Sequence, residues 1–333
     1  MISPECFYNE LDSHNINFYT GVPDSLLKNL CAYITDHSNR RNHIIAANEG
    51  GAIGLAAGYH LSTGCIPVVY MQNSGLGNTV NPLLSLTDKA VYKMPVLLLI
   101  GWRGEPGIHD EPQHATQGLV TLPLLEATGI RYEILTSEPE KLNEQIMHAA
   151  DYLTSTNQAF AFVIRKETFS KYHLHTEVPS PYIMERETAI GQVSAALPKD
   201  AVVVSTTGKI SRELFEWREH RGESHERDFL TVGSMGHASQ IALGVALQNP
   251  RHPIFVFDGD GAVIMHMGAL GIIGSQQPDN FYHIVFNNGA HDSVGGQPTI
   301  GFQIDIPQIA SACGYLSAFS VSTEEQLQAA LNI

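Results

Sequence analysis

Short apolar runs rich in β-branched residues recur along the chain and end toward Gly, Asn or Asp: residues 43–47, 66–70, 96–100, 201–204, 254–257 and 283–286. Between them lie longer segments with Ala, Gly and Leu at helical period, as at Ala52–Leu61 and His237–Leu247. Runs that are apolar at nearly every position fit strands covered on both faces. Their alternation with helices predicts parallel sheets of the α/β class.

The pattern also repeats. Gly58 falls on Gly244 and Pro67 on Pro253 at an offset of 186 positions, and Ser74-Gly75 falls on Asp260-Gly261 without a gap. A strand-helix-strand-helix-strand register kept over that length predicts two copies of one doubly wound parallel-sheet fold. A chain of 333 residues is long for one core, which agrees. The first domain is expected at 1–168 and the second at 187–333. Residues 169–186, with two prolines and no clean period, are expected to link them.

Composition narrows the chemistry. Lys+Arg number 19 against Asp+Glu 34, a net charge of −15, which disfavours a nucleic-acid binder but permits a small anionic substrate in a local cationic pocket. Four dispersed cysteines form no C-x-x-C pair, so neither a zinc site nor a disulfide framework is expected. The acidic N-terminus and the absence of a long apolar run predict no signal peptide, no membrane span and a cytoplasmic location.

The densest chemistry follows the run at 254–257. Asp258-Gly259-Asp260-Gly261 leads into a helix expected over about Val263–Gln276, then a strand ending at Asn287-Asn288. The 28 positions from Asp260 to Asn288 make one βαβ unit, which brings both residues to the carboxyl ends of parallel strands. An acid and an amide there supply hard oxygen ligands for Mg²⁺ or Ca²⁺, and the helix start offers N–H groups to an anion. Glu49, among small residues at a strand-to-helix junction, is either an acid favoured by the helix dipole or a carboxyl kept for proton sharing.

Gly-Asp-Gly followed by Asn-Asn at this spacing resembles the thiamine diphosphate enzymes. The resemblance implies thiamine diphosphate and Mg²⁺ as cofactors, and a pyrimidine-binding domain followed by a diphosphate-binding domain of the same topology. It implies Mg²⁺ on Asp260, Asn288 and the carbonyl near Ala290, and the diphosphate near Thr207, Gly208, Gly259, Gly261 and Ala262. Glu49 would activate the aminopyrimidine, with Gly233 and the apolar wedge Met235 as the opposing clamp. Met235 stands at the offset of 186 from Glu49.

Within that family, Gly21-Val22-Pro23-Asp24-Ser25, Gln72 to Asn78, Gly101 to Gly107, Asp110 to His114 and Asn287 to Ser293 resemble the short two-domain phosphonopyruvate decarboxylase group. This implies non-oxidative decarboxylation of 3-phosphonopyruvate to phosphonoacetaldehyde and CO₂ through the cofactor's ylid. It also implies a homodimer or higher homo-oligomer with active sites between subunits. His114 is the candidate proton carrier, and Ser25, Gln113, Lys209 and Arg212 are candidate substrate residues. Lys209 and Arg212 could equally meet the cofactor phosphate or lie on a helix face. Arg103 could bridge loops, and Asp24 could touch substrate. Sulfopyruvate decarboxylation, or a non-catalytic nucleotide-binding α/β protein, are the competing expectations.

Overall fold

The computed structural model describes residues 1–176 and 179–331. Its chain divides into two compact units, Met1–Glu177 with Val294–Gln297, and Val178–Ser293 with Pro298–Ile333.

The first unit holds the helices α1 (Pro4–Ser13), α2 (Lys28–His37), α3 (Glu49–Thr63), α4 (Leu76–Pro82), α5 (Pro112–Ala127) and α6 (Pro139–Thr156). Its strands are β1 (Phe18–Gly21), β2 (His43–Ile45), β3 (Pro67–Gln72), β4 (Leu97–Gly101), β5 (Arg131–Ile134) and β6 (Phe160–Ile164). All six pair in parallel, in the order β2-β1-β3-β4-β6-β5. The sequence pattern explains this directly. Leu97, Leu99, Phe160 and Phe162 enter one core layer, while Leu98, Ile100, Ala161 and Val163 enter the other. A strand that feeds two layers must be apolar at every position.

The second unit holds the helices α7 (Arg186–Ala196), α8 (Lys209–Arg221), α9 (Ala238–Gln248), α10 (Asp260–Met265), α11 (Gly268–Gln276), α12 (Ile306–Ala312) and α13 (Glu324–Leu331). Its strands are β7 (Val202–Ser205), β8 (Asp228–Leu230), β9 (Ile254–Gly259) and β10 (Phe281–Phe286). These are also parallel, in the order β10-β9-β7-β8. Read from the other edge, β8-β7-β9-β10 reproduces β2-β1-β3-β4, so the doubled doubly wound fold is present.

Two details differ from the sequence pattern. The helix expected over 263–276 starts earlier, at Asp260, and is broken after Met265, with His266 at φ −132° and ψ 49°. The His266 ring lies 4.5 Å from that of His237 and fills the space a side chain at Gly236 would need. Both helices turn apolar residues inward, so the helical period reads straight through the break. In addition, the segment from Phe169 begins as part of the first unit. Phe169 is buried against Phe7, and Ser170 N–H donates to the Ile2 carbonyl at 2.8 Å. Asp36 then takes the Tyr172 hydroxyl and the N–H groups of His175 and Thr176.

Candidate active site

In the first unit the loop after β2 is tied to its neighbour by Ala46 N–H donating to the Gly21 carbonyl at 2.9 Å. Asn48 then caps α3, its side chain accepting from Gly51 N–H at 2.8 Å. That cap makes Glu49 the first helical residue, buried at 6% exposure. Asn78 Nδ2 of α4 donates to Glu49 Oε2 at 2.8 Å. A Cβ at Gly75 would lie 2.6 Å from Glu49 Cδ, so this position must be glycine for the carboxyl to sit where it does. Its place in the first turn of α3 fits the helix-dipole reading of Glu49.

A second polar group gathers at the carboxyl ends of β1, β3 and β4. Arg103 donates through Nε and Nη2 to both oxygens of Asp110, at 2.7 and 2.5 Å, and through Nη1 to Ser25 Oγ at 2.9 Å. The fork holds the Asp110 carboxyl far below the usual carboxylate range. Asp24 is completely buried against Gly101, and burial pushes its carboxyl up to about 6. Its Oδ2 accepts from Leu26 N–H at 2.9 Å, while Oδ1 has no partner among the described residues. His114, near the start of α5, is buried; desolvation first and the Arg103 charge second lower its pKa, which favours the neutral ring. Gln113 beside it is half-buried. Ser25, Asp24, Arg103 and His114 are thus brought together. Arg103 does bridge loops, and Asp24 is too enclosed to meet a ligand as it stands.

In the second unit Asp260 opens α10 with its side chain buried. Thr299 donates its hydroxyl to Asp260 Oδ2, and the Asn288 N–H also points at this carboxylate. Desolvation raises the Asp260 pKa against these donors. Asn287 Nδ2 donates to the Gly301 carbonyl at 2.7 Å, and a Cβ on Gly301 would lie 2.5 Å from both Asn287 Oδ1 and Asp260 Oδ2. Asn288 Oδ1 accepts from Ala290 N–H at 3.1 Å. The register of β9 with β10, Gly259 opposite Phe286, puts Asp260 and Asn288 just past paired strand ends.

The other expected cofactor residues of the unit follow β7, β8 and β9. Thr206 is buried after β7 with its Oγ1 unpartnered among the described residues, followed by half-buried Thr207. Gly208, at φ 101°, caps α8, and a Cβ there would meet only Ser293, at 3.6 Å and beyond. Lys209, exposed, pairs at 2.8 Å with Asp292, which also meets Arg186, and Arg212 is exposed one turn along α8. Ser234 and Gly236 flank Met235 in the left-handed region. Met235 Cε reaches to 3.4 Å from where a Gly261 Cβ would be, and the His291 ring approaches the same point equally closely. Burial pushes His291 down to about 4.

The donor set suits the cofactor that the sequence pattern implied. Asp260 and Asn288 offer hard oxygens, Gly208 gives an open backbone cradle, and Thr206 holds an unused buried hydroxyl. Four neighbours of these groups escaped the sequence reading. Asn78 and His291 lie inside quoted motifs, which was the available signal. Thr299 and Gly301 have no local signal, because their contacts with Asp260 and Asn287 are made only by the folded chain.

Comparison with known proteins agrees. The family described as "Thiamine pyrophosphate enzyme, N-terminal TPP binding domain" matches residues 4–123, and its C-terminal TPP binding counterpart matches residues 207–333. The phosphonopyruvate decarboxylase of Streptomyces viridochromogenes is 35% identical over 322 residues, covering 90% of this chain and 79% of that protein. That of Streptomyces hygroscopicus is 34% identical over 347 residues, covering 99% and 84%. The sulfopyruvate decarboxylase of Methanosarcina acetivorans is 29% identical over 335 residues, covering 93% and 82%.

Proposed function

The chain belongs to the thiamine pyrophosphate enzymes, in the family that holds the phosphonopyruvate decarboxylases, and on that premise we propose that it converts 3-phosphonopyruvate to phosphonoacetaldehyde and CO₂ without oxidation. It is a carboxy-lyase whose cofactors are thiamine diphosphate and Mg²⁺. The observation that carries the reading is a pair of buried acids just past strand ends, one in each unit: Glu49 after β2, held by Asn78, and Asp260 after β9, held by Thr299. They occur in a chain that aligns along 90% of its length with such a decarboxylase.

Thiamine diphosphate, when bound, supplies the electron sink that lets CO₂ leave a 2-oxo acid. Asp260, Asn288 and the Ala290 carbonyl would hold Mg²⁺. Thr207, Gly208 and the backbone around Gly259, Gly261 and Ala262 would hold the diphosphate. Met235 and the Gly233 carbonyl would support the ring system, and Glu49 would hold and release a proton at the pyrimidine. Neutral His114 can take a proton or give one near neutral pH, while Ser25 and Gln113 would orient the substrate. Lys209 and Arg212, both exposed on α8, are the candidate cations for the anionic end of the substrate. We also propose a homodimer or larger homo-oligomer with sites completed between subunits, as in the family. No described helix is long and apolar enough to cross a membrane, which suits a cytoplasmic enzyme acting on a small soluble acid.

The likeness to a sulfopyruvate decarboxylase favours a second reading, sulfopyruvate as substrate, since both side groups are tetrahedral anions. Purified protein with added thiamine diphosphate and Mg²⁺ is assayed for CO₂ release from phosphonopyruvate, sulfopyruvate and pyruvate. Phosphonopyruvate is expected to have the highest kcat/KM; turnover of sulfopyruvate alone would overturn the assignment.

A further inference from the structure

Arg103 connects more of the first unit than any catalytic assignment requires. Asp110, its partner, also accepts the N–H groups of Gly104 and Glu111, both at 2.8 Å. The Arg103 backbone is held in both directions by the Asn73 side chain, whose Nδ2 also reaches Thr121 of α5 at 2.9 Å. One residue therefore fixes the segment after β1, the segment after β3 and the helix that carries His114.

Its charge is already compensated inside the protein. Asp110 takes the Nε–Nη2 edge of the fork, Ser25 takes an Nη1 N–H, and buried Asp24 lies close enough to feel the same cation. An incoming dianion would meet a neutralised pair. A guanidinium also only donates, so the bond from Nη1 forces Ser25 Oγ to accept. The Ser25 side chain makes no other hydrogen bond among the described residues. Its hydroxyl hydrogen is left to be donated elsewhere, from an oxygen polarised by a charge-assisted bond.

We infer that Arg103 is a positioning residue for the decarboxylation and not the cation that binds the substrate phosphonate: locked on Asp110, it makes Ser25 a one-way hydrogen-bond donor toward substrate and fixes the spacing of Ser25 and His114. This rests on the decarboxylase reading. Lysine keeps the charge but cannot make the bidentate bond and the third bond together.

The test is steady-state kinetics of Arg103→Lys, Asp110→Asn, Ser25→Ala and the double variant Arg103→Lys/Ser25→Ala, with cofactor affinity by calorimetry and folding by thermal melts. Arg103→Lys is expected to lower kcat about tenfold or more while KM moves less than about threefold. Asp110→Asn should do the same, and cofactor affinity should stay within about threefold of wild type, since Glu49 and Asp260 are held by other groups. On the Ser25→Ala background the lysine substitution should add little, because its target is gone. Three outcomes would overturn the inference: a KM rise of about tenfold with kcat retained in Arg103→Lys, a KM fall in Asp110→Asn as the cation is freed, or fully multiplicative losses in the double variant. Should Arg103→Lys melt early, Asp110→Asn and the Ser25 variants decide alone. Absence of turnover in the wild-type chain would overturn both this inference and the decarboxylase reading; a working wild type whose variants split the wrong way overturns the inference only.

Discussion

The two halves of the molecule place the same contact at the same pair of positions and fill it with opposite chemistry. In the first half Glu49 packs its carboxyl on Gly75; in the second, Met235 lays its methyl over Gly261. Both pairs are related by the offset of 186. The backbone has followed the chemistry. Glu49 is wound into the first turn of α3, where helix N–H groups favour an acid, whereas α9 begins only at Ala238 and Met235 sits in a loop between two left-handed residues. A methionine gains nothing from a helix N-terminus, and an unwound turn lets it reach further. A duplicated scaffold can thus keep its contacts while one copy presents a buried acid and the other an apolar side chain.

The comparison breaks most sharply at the carboxyl. Glu49→Gln keeps the shape and can still accept from Asn78, yet kcat is expected to fall by about 10²–10⁴-fold, the usual share of a general acid–base group. Met235→Leu, the matching change in the other half, should stay within a few-fold. Equal losses in both variants, read from steady-state kinetics, would remove the distinction. The props of the two acids come next. Thr299→Val should raise the Mg²⁺ needed for half-activation by about 10–100-fold, as for groups that orient metal ligands. Asn78→Ala should leave the Mg²⁺ titration unmoved and lower kcat instead.

The two glycines give a smaller contrast. A methyl at Gly75 would lie 2.6 Å from Glu49 Cδ, whereas at Gly261 its nearest neighbours stand at 3.4 Å. Gly75→Ala is expected to cost about tenfold in kcat by pushing the carboxyl aside, roughly one kcal/mol of misplacement. Gly261→Ala should cost less than that in the same assay, and the reverse order would contradict the packing described.

Smallest in kinetic effect is the pH response of the first unit. Asp24 has its pKa raised from 3.8 to about 6, so its contribution to stability is present at low pH and lost as pH rises through about 6. His43, half-buried beside the Tyr70 hydroxyl at 2.8 Å, has its pKa lowered by desolvation from 6.5 to about 4. Its contribution is present above 6.5 and lost as pH falls through about 4. Asp24→Asn should therefore gain stability relative to wild type on going from pH 4 to pH 8, by about 3 kcal/mol, measured by chemical denaturation at both values. A difference that does not change with pH would show that the buried carboxyl does not stay in place.

How much of this was legible in the sequence follows from what a local pattern can carry. The strands, the doubled order and the placement of Glu49 and Asp260 at junctions all rest on period and spacing, which are properties of neighbours along the chain. The break after Met265 was invisible because its contacts, to His237 and Gly236, lie some 30 positions away and the apolar period survives it. The hold of Thr299 on Asp260 spans 39 positions and that of Asn78 on Glu49 spans 29. Polar partners at such separations leave no period. Lys209, whose type and place suggested an anion ligand, also lies 2.8 Å from Asp292, a neighbour 83 positions away that no local pattern announces.

The bond from Asn78 also settles a question of address. An amide N–H directed at Glu49 Oε2 cannot coexist there with a hydroxyl hydrogen pointing back along the same line. That bond sets the two oxygens apart: Oε2 faces the Asn78 amide, and Oε1 is the one nearest Gly75. The carboxyl thus has two unlike ends, one tied to a neighbouring helix and one laid against bare backbone.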